Sequence, residues 1–294
     1  MAALFRSNAD TLGLALGAPV MDEILIPDPR FREAIAALDA GDLPALERHL
    51  AAHPGLVRER LATGEGYFAN PYLLWFVAEN PIRTGRLAPN VVEMARAIVE
   101  AAERNGVETL GEQLSYTLGL VCSGSVSRES GVQIPLIDFL LEAGAEPDGA
   151  MLPALAHGER AAVDRLLERG ATVTLLAAAC LGKLEDAERL APLAGREELQ
   201  AALSGAALWG QAEIVRLLIA QGVDLAATNP PGLHAHSTPL HQAVDSGSLE
   251  TVRILVEAGA PLDVRDRLFD GTPCGWADYL GRTEIAAYLR SVQG

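Results

Sequence analysis

The chain has 294 residues, and its 39 acidic against 23 basic side chains leave an excess of 16 negative charges. With no cluster of Lys or Arg along the sequence, that balance excludes a nucleic-acid-binding stripe, because phosphate contacts need basic side chains that release counterions. A hydrophobic share of 49 % against 21 % charged residues excludes a disordered acidic tail, and aromatics at 5 % point to a core of small and medium aliphatic side chains, as closely stacked helices use.

Residues 1–28 carry Leu12, Leu14, Leu16, Val20, Ile24, Leu25 and Ile26 and read as a cap over the open face of a first repeat. The uncharged stretch from Thr11 to Val20 is a poor secretory segment, since only Arg6 precedes it and Asp22 and Glu23 follow at once. No run reaches the ~20 apolar residues of a membrane span. Cys122, Cys180 and Cys274 are too scattered for a disulfide framework or a metal knuckle, so a soluble, cytoplasmic protein is expected.

From residue 29 the chain reads as helix pairs. Phe31, Ala34, Ile35, Leu38, Leu43, Leu46 and Leu50 around Gly41 predict the first pair. Asn70-Pro71 suits an N-cap followed by a proline at N1, opening an aromatic helix of Tyr72, Leu73, Leu74, Trp75, Phe76 and Val77. Its partner spans 91–105 and ends at Gly106; a third pair spans 110–122 and 134–142 and ends at Gly144. Further on, Gly158 and Gly170, Gly182 and Gly195, Gly210 and Gly222, and Gly247 and Gly259 stand 12, 13, 12 and 12 positions apart. Each pair encloses an apolar stripe of spacing three and four, such as Ile214, Val215, Leu217 and Leu218. The second glycine of each pair is read as the left-handed residue that ends the helix.

At Thr238-Pro239-Leu240-His241-Gln242-Ala243 a hydroxyl cap and a proline at N1 open another helix, and Thr272-Pro273 repeats the signal 34 positions later. These words, with Val252 to Gly259-Ala260 after them, resemble the ankyrin repeat, whose period is about 33. The likeness is close from Ala201 to Gly294 and looser upstream, where the segment from Gly158 to Gly182 has lost much of the connecting hairpin. It implies an all-α ankyrin-type solenoid of about eight helix-turn-helix units with short hairpin-like loops, filling 29–294 as a single domain.

The resemblance implies a non-catalytic protein–protein interaction module that binds a partner protein on its concave face and loop tips, without a cofactor or catalytic residues. In ankyrin-like units the two residues before each helix-ending glycine face the concave side. That rule gives Ala156 and His157, Cys180 and Leu181, Leu208 and Trp209, Asp245 and Ser246, and Tyr279 and Leu280. Trp209, with Trp276 and with Phe269 near a loop tip, suggests an aromatic strip of the kind that supplies hot spots. The negative surplus predicts a partner with a basic patch, and a monomer is the expected state.

Loops 81–90, 123–133 and 229–237 are long for the array, and partner contacts often sit on such loops. The Ser-rich stretch from Ser123 to Gly131 has no Gly-Lys-Ser/Thr terminus and no nucleophile elbow, so it reads as a flexible solvated loop. His234, His236 and His241 form the one candidate metal cluster, with no cysteine or carboxylate nearby in sequence to complete it. Cys180 and His157 sit at equivalent helix ends, 8–10 Å apart for packed helices, which is too far for a thiol–imidazole pair. The alternative function is a small-ligand-binding protein or enzyme with an aromatic pocket of Tyr72, Trp75 and Phe76; rings packed solid would count against it.

Overall fold

A computed structural model describes residues 26–293, so the expected N-terminal cap lies almost entirely outside the described residues. Every regular element among them is helical. The chain divides into two compact units, Met1–Ala171 and Thr172–Gly294.

In the first unit, α1 (Pro29–Ala40) pairs with α2 (Leu43–Ala52), and the 3-10 helix Leu73–Ala78 pairs with α3 (Val91–Arg104). Then come α4 (Leu110–Ser123), the short α5 (Ser125–Glu129) and α6 (Gln133–Glu142), followed by α7 (Asp148–Ala156) and α8 (Arg160–Glu168). The second unit holds α9 (Leu175–Leu181) with α10 (Leu184–Leu190), and α11 (Arg196–Leu208) with α12 (Ala212–Ala220). It closes with α13 (Pro239–Ser246) and α14 (Leu249–Glu257), then α15 (Pro273–Tyr279) and α16 (Thr283–Gln293). The described residues thus form eight helix pairs, the number that the repeat period predicts.

Packing follows the apolar stripes. In the first unit α4 touches the Leu73–Ala78 helix and α7, while α6 touches α3 and α8; in the second, α11 lies between α9 and α13, and α12 meets α10 and α14. First helices therefore stack on first helices and second on second. Small residues set the spacing: Ala177, Ala178, Ala179 and Cys180 of α9 are fully buried. A methyl group at Gly205 of α11 would meet Leu176 Cδ1 at 2.6 Å and Cys180 Sγ at 2.7 Å. Hydroxyl caps begin several first helices. Thr174 Oγ1 accepts from the Ala177 N–H at 3.2 Å, and Thr272 Oγ1 from the Gly275 N–H at 3.1 Å.

Three local expectations are corrected. Asn70 is not an N-cap: its φ of 50° turns the chain, and the helix starts only at Leu73, as a 3-10 helix of six residues. Gly195 is not a left-handed helix end, because its φ is −73° and it opens α11. Pro192, with no N–H to donate, lies just past the end of α10 in the 3-10 turn Ala191–Leu193, so that helix stops early. The stretch from Ser123 to Gln133 is no solvated loop; it contains α5, whose Val126 and Ser127 are buried.

Candidate functional site

The first helices of the second unit present the residues that the glycine register selects. Leu181, Leu208, Trp209, Asp245 and Ser246 are half-buried, whereas Tyr279 is 74 % exposed. Cys180 lies under this face, fully buried, and burial pushes its thiol up from the usual range. In the first unit His157 is half-buried with Nδ1 at 2.9 Å from the Pro153 carbonyl oxygen, and Ala156 is buried.

Trp276 corrects the proposed aromatic strip. It is 4 % exposed, and its indole N–H donates to Asp266 Oδ2 at 2.9 Å, because the side chain drops from the first turn of α15 into the loop before it. Phe269, at the tip of that loop, stays 38 % exposed. The Asp266 carboxylate also accepts the backbone N–H groups of Leu268, Phe269 and Gly271 at 2.9, 2.8 and 3.0 Å. Burial works to raise the Asp266 pKa, but these donors and Trp276 outweigh it and hold the carboxyl below its ordinary value.

The two loops of this unit are bonded to one another. The Arg267 N–H donates to the His236 carbonyl oxygen at 2.8 Å, and the Asn229 N–H to the Ser237 carbonyl oxygen at 2.8 Å closes the loop from 229 to 237. His236 lies against Phe269 and Trp276, with ring centroids 6.2 and 6.0 Å away. His241 takes the Thr238 N–H on Nδ1 at 3.3 Å and donates from Nε2 to the Gly271 carbonyl oxygen at 3.1 Å. Burial lowers the pKa of both rings. At His234 φ is 59°, so the segment is not extended there, and its ring stands edge-on to His236 at 6.0 Å. Among the described residues no three His, Cys, Asp or Glu side chains are placed to hold a metal.

In the first unit the aromatic residues around Trp75 are packed against one another. Tyr72, Trp75 and Phe76 are buried, Phe68 closes on Trp75 and Phe76 at 6.0 and 5.2 Å, and Tyr116 stacks on Trp75 at 4.1 Å. The loop after this helix is pinned by a buried carboxylate. Glu79 accepts the N–H groups of Arg83, Thr84 and Gly85, and the Arg83 guanidinium meets Glu79 at 2.8 Å and Asp39 at 2.9 Å.

Sequence reasoning misses the segment 58–72, which folds over the Leu73–Ala78 helix through Phe68 and leaves Tyr67 47 % exposed. It also misses Tyr116 and Leu152, exposed on α4 and α7. The available signal was the aromatic pair Tyr67-Phe68 set between glycines and a turn, a poor composition for a passive linker.

A protein-family model described as ankyrin repeats (3 copies) matches residues 128–266 and 203–292. Cyclin-dependent kinase 4 inhibitor B of Bos taurus is 31 % identical over 151 residues, 51 % of this chain and 97 % of that protein. Cyclin-dependent kinase inhibitor 2A of Homo sapiens is 36 % identical over 87 residues, 30 % of this chain and 53 % of that protein. Protein phosphatase 1 regulatory subunit 27 of Homo sapiens is 40 % identical over 80 residues, 27 % of this chain and 49 % of that protein. The matches thus span about half the length of the two human relatives.

Proposed function

The chain belongs to the ankyrin-repeat family, and from that premise we propose that it is a non-catalytic module that binds a partner protein through its first-helix faces and loop tips. The relatives are named as inhibitors of kinases and as a regulatory subunit of a phosphatase, roles exercised on another protein. Tyr279 carries the reading: it stands 74 % exposed on a first helix, where a polar residue would satisfy solvent. Half-buried Trp209 and the exposed loop tip Phe269 support it, together with half-buried Leu181, Leu208, Asp245 and Ser246 and, in the first unit, His157. The excess of 16 negative charges favours a partner with a basic patch and a soluble monomeric state. The unpaired thiols of Cys122, Cys180 and Cys274 suit a cytoplasmic setting, and no helix among the described residues is long and apolar enough to cross a membrane.

Photo-cross-linking in the native host tests this function. A benzophenone side chain at position 209 or 279 should capture a protein, whereas one at position 213 or 257 on the second helices should not. Equal capture from both sets of positions, or from neither, overturns the proposal.

A further inference from the structure

The first unit carries a second aromatic surface, formed where segment 58–72 meets the first helices. The Leu61 N–H donates to the Pro71 carbonyl oxygen at 3.0 Å and the Asn70 N–H to that of Thr63 at 2.8 Å, which closes the segment into a compact loop. Its outward ring, Tyr67, donates its hydroxyl to Asn80 Oδ1 at 3.0 Å, and the Tyr67 carbonyl oxygen accepts the Tyr116 hydroxyl. Tyr116 is 36 % exposed and rests on buried Trp75. One turn further along α4, a methyl group at Gly119 would lie 3.7 Å from Pro153 Cγ, and beside Pro153 stands Leu152, 38 % exposed. Tyr67, Tyr116, Leu152 and Pro153 therefore make one strip across the first helices. Both tyrosines are already held by hydrogen bonds or stacking, so docking against them costs little side-chain entropy.

With Arg60 and Glu112 paired to each other, the remaining charges on the segment and at the starts of these helices are mostly acidic. Glu65, Glu108, Glu112, Glu146 and Asp148 lie on segment 58–72 or at the starts of α4 and α7, against the guanidiniums of Arg58 and Arg60. Arg60 is already engaged, bonding Glu112 at 2.7 Å and covering the Tyr72 ring at 4.1 Å. Glu146 sits next to the strip, its N–H bonded to Ser115 Oγ at 3.1 Å. An apolar floor with an acidic border complements an apolar side chain flanked by cations.

We propose that this strip of the first unit docks a segment of the partner protein in which an aromatic or aliphatic anchor is flanked by Lys or Arg. This rests on the binding-module reading and adds to it a place and a ligand chemistry.

The test titrates the full chain with three fluorescent peptides: a central Trp flanked by Lys on both sides, the same peptide with Glu for Lys, and the Lys peptide with Gly for Trp. The Lys–Trp peptide should bind, and the other two should bind at least ~tenfold more weakly. Leu152→Ala and Tyr116→Ala should each weaken the Lys–Trp peptide at least ~tenfold, whereas Leu193→Ala, at an 81 % exposed position outside both surfaces, should leave it unchanged. Leu152 is a surface residue, so its variant keeps the test readable if Tyr116→Ala unfolds. Absence of Lys–Trp binding, equal binding of the Gly peptide, or affinity undiminished by Leu152→Ala overturns the inference. An equal loss with Leu193→Ala overturns it too, while the broader function stands; that function falls only if cross-linking shows no first-helix preference.

Discussion

The indole N–H of Trp276 donates to the Asp266 carboxylate at 2.9 Å, so a loop carboxylate anchors the first helix of the last repeat. With the N–H groups of Leu268, Phe269 and Gly271 on the same two oxygens, Asp266 satisfies four donors at once. Asp266→Ala leaves the Trp276 donor buried without an acceptor and should cost about 3 kcal/mol, the scale of hydrogen bonds to a charged group. Urea denaturation followed by Trp fluorescence checks this, and a loss under ~1 kcal/mol would refute the anchor.

A buried imidazole, His241, and a half-buried one, His236, make the same region sensitive to acid. Burial lowers the pKa of His236, with Asp266 opposing and His241 adding to the effect; burial likewise lowers that of His241. The Nε2 atom of His236 is buried and has no hydrogen-bond partner among the described residues to support a charge. The unfolded chain takes up these protons near pH ~6.5, before the folded chain does, so stability falls as pH drops from about 6.5 toward the lower folded values. Asp266 adds to the loss only further down, below ~3.9, because its folded pKa is depressed. Melting temperatures should drop between about pH 7.5 and pH 5.5, and His236→Phe should flatten part of that slope. An unchanged slope in the variant would remove His236 from the account.

The helix pairs were legible in the sequence because glycines and apolar spacing act locally. Thr238-Pro239 and Thr272-Pro273 do open α13 and α15. Gly195 misled because a glycine also suits a helix start, and only Pro192 before it marks the earlier stop. The surface was harder to read, since whether an aromatic side chain faces out depends on a partner distant in sequence. Trp276 is claimed by a carboxylate ten residues back, while Tyr116 is left at the surface by a loop 49 positions earlier. Glu79 breaks the apolar pattern, because its carboxylate is held by the N–H groups of Arg83, Thr84 and Gly85 and by the Arg83 guanidinium, which Asp39 from α1 also pairs.

That pairing gives a stability prediction for the first unit. Glu79 is 1 % exposed, and Arg83→Met strips its guanidinium partner while leaving the backbone donors in place. Breaking a buried pair from one side costs ~3–5 kcal/mol, so the first unit should unfold at markedly lower urea. Asp39 differs: burial lifts its pKa, Arg83 opposes and Glu79 adds to the rise, so its charged form is disfavoured where it sits. Asp39→Asn should therefore be far milder than Arg83→Met, and equal losses would contradict the asymmetry.

Two glycines separate backbone strain from packing. Gly222 has φ 79° with open space around it, so Gly222→Val is charged only for the left-handed conformation, about 1–2 kcal/mol. Gly205 is helical, where Ala is favoured by up to ~1 kcal/mol, yet the added methyl meets Leu176 and Cys180 well inside contact distance. Overpacking costs about 1–3 kcal/mol, so Gly205→Ala should lower the melting temperature despite the better helix former. A gain would mean that α9 and α11 move apart freely.

The last prediction concerns the face of the second unit once a partner is in hand. Tyr279 is 74 % exposed and Trp209 half-buried, so truncating Tyr279 removes contact area with little effect on folding, while truncating Trp209 touches both. Tyr279→Ala should cost at least ~2 kcal/mol in affinity if the ring is a hot spot, with an unchanged melting curve. Trp209→Ala should lower affinity and stability together. The 16 excess negative charges act at longer range and should make association faster at low salt, an effect screened over ~8 Å at physiological ionic strength. If Tyr279→Ala slows association without changing dissociation, the ring acts before the complex is formed and is not a hot spot, since truncated anchors act mainly on the dissociation rate. A faster dissociation at unchanged salt dependence places Tyr279 in the interface and leaves steering to the surrounding carboxylates.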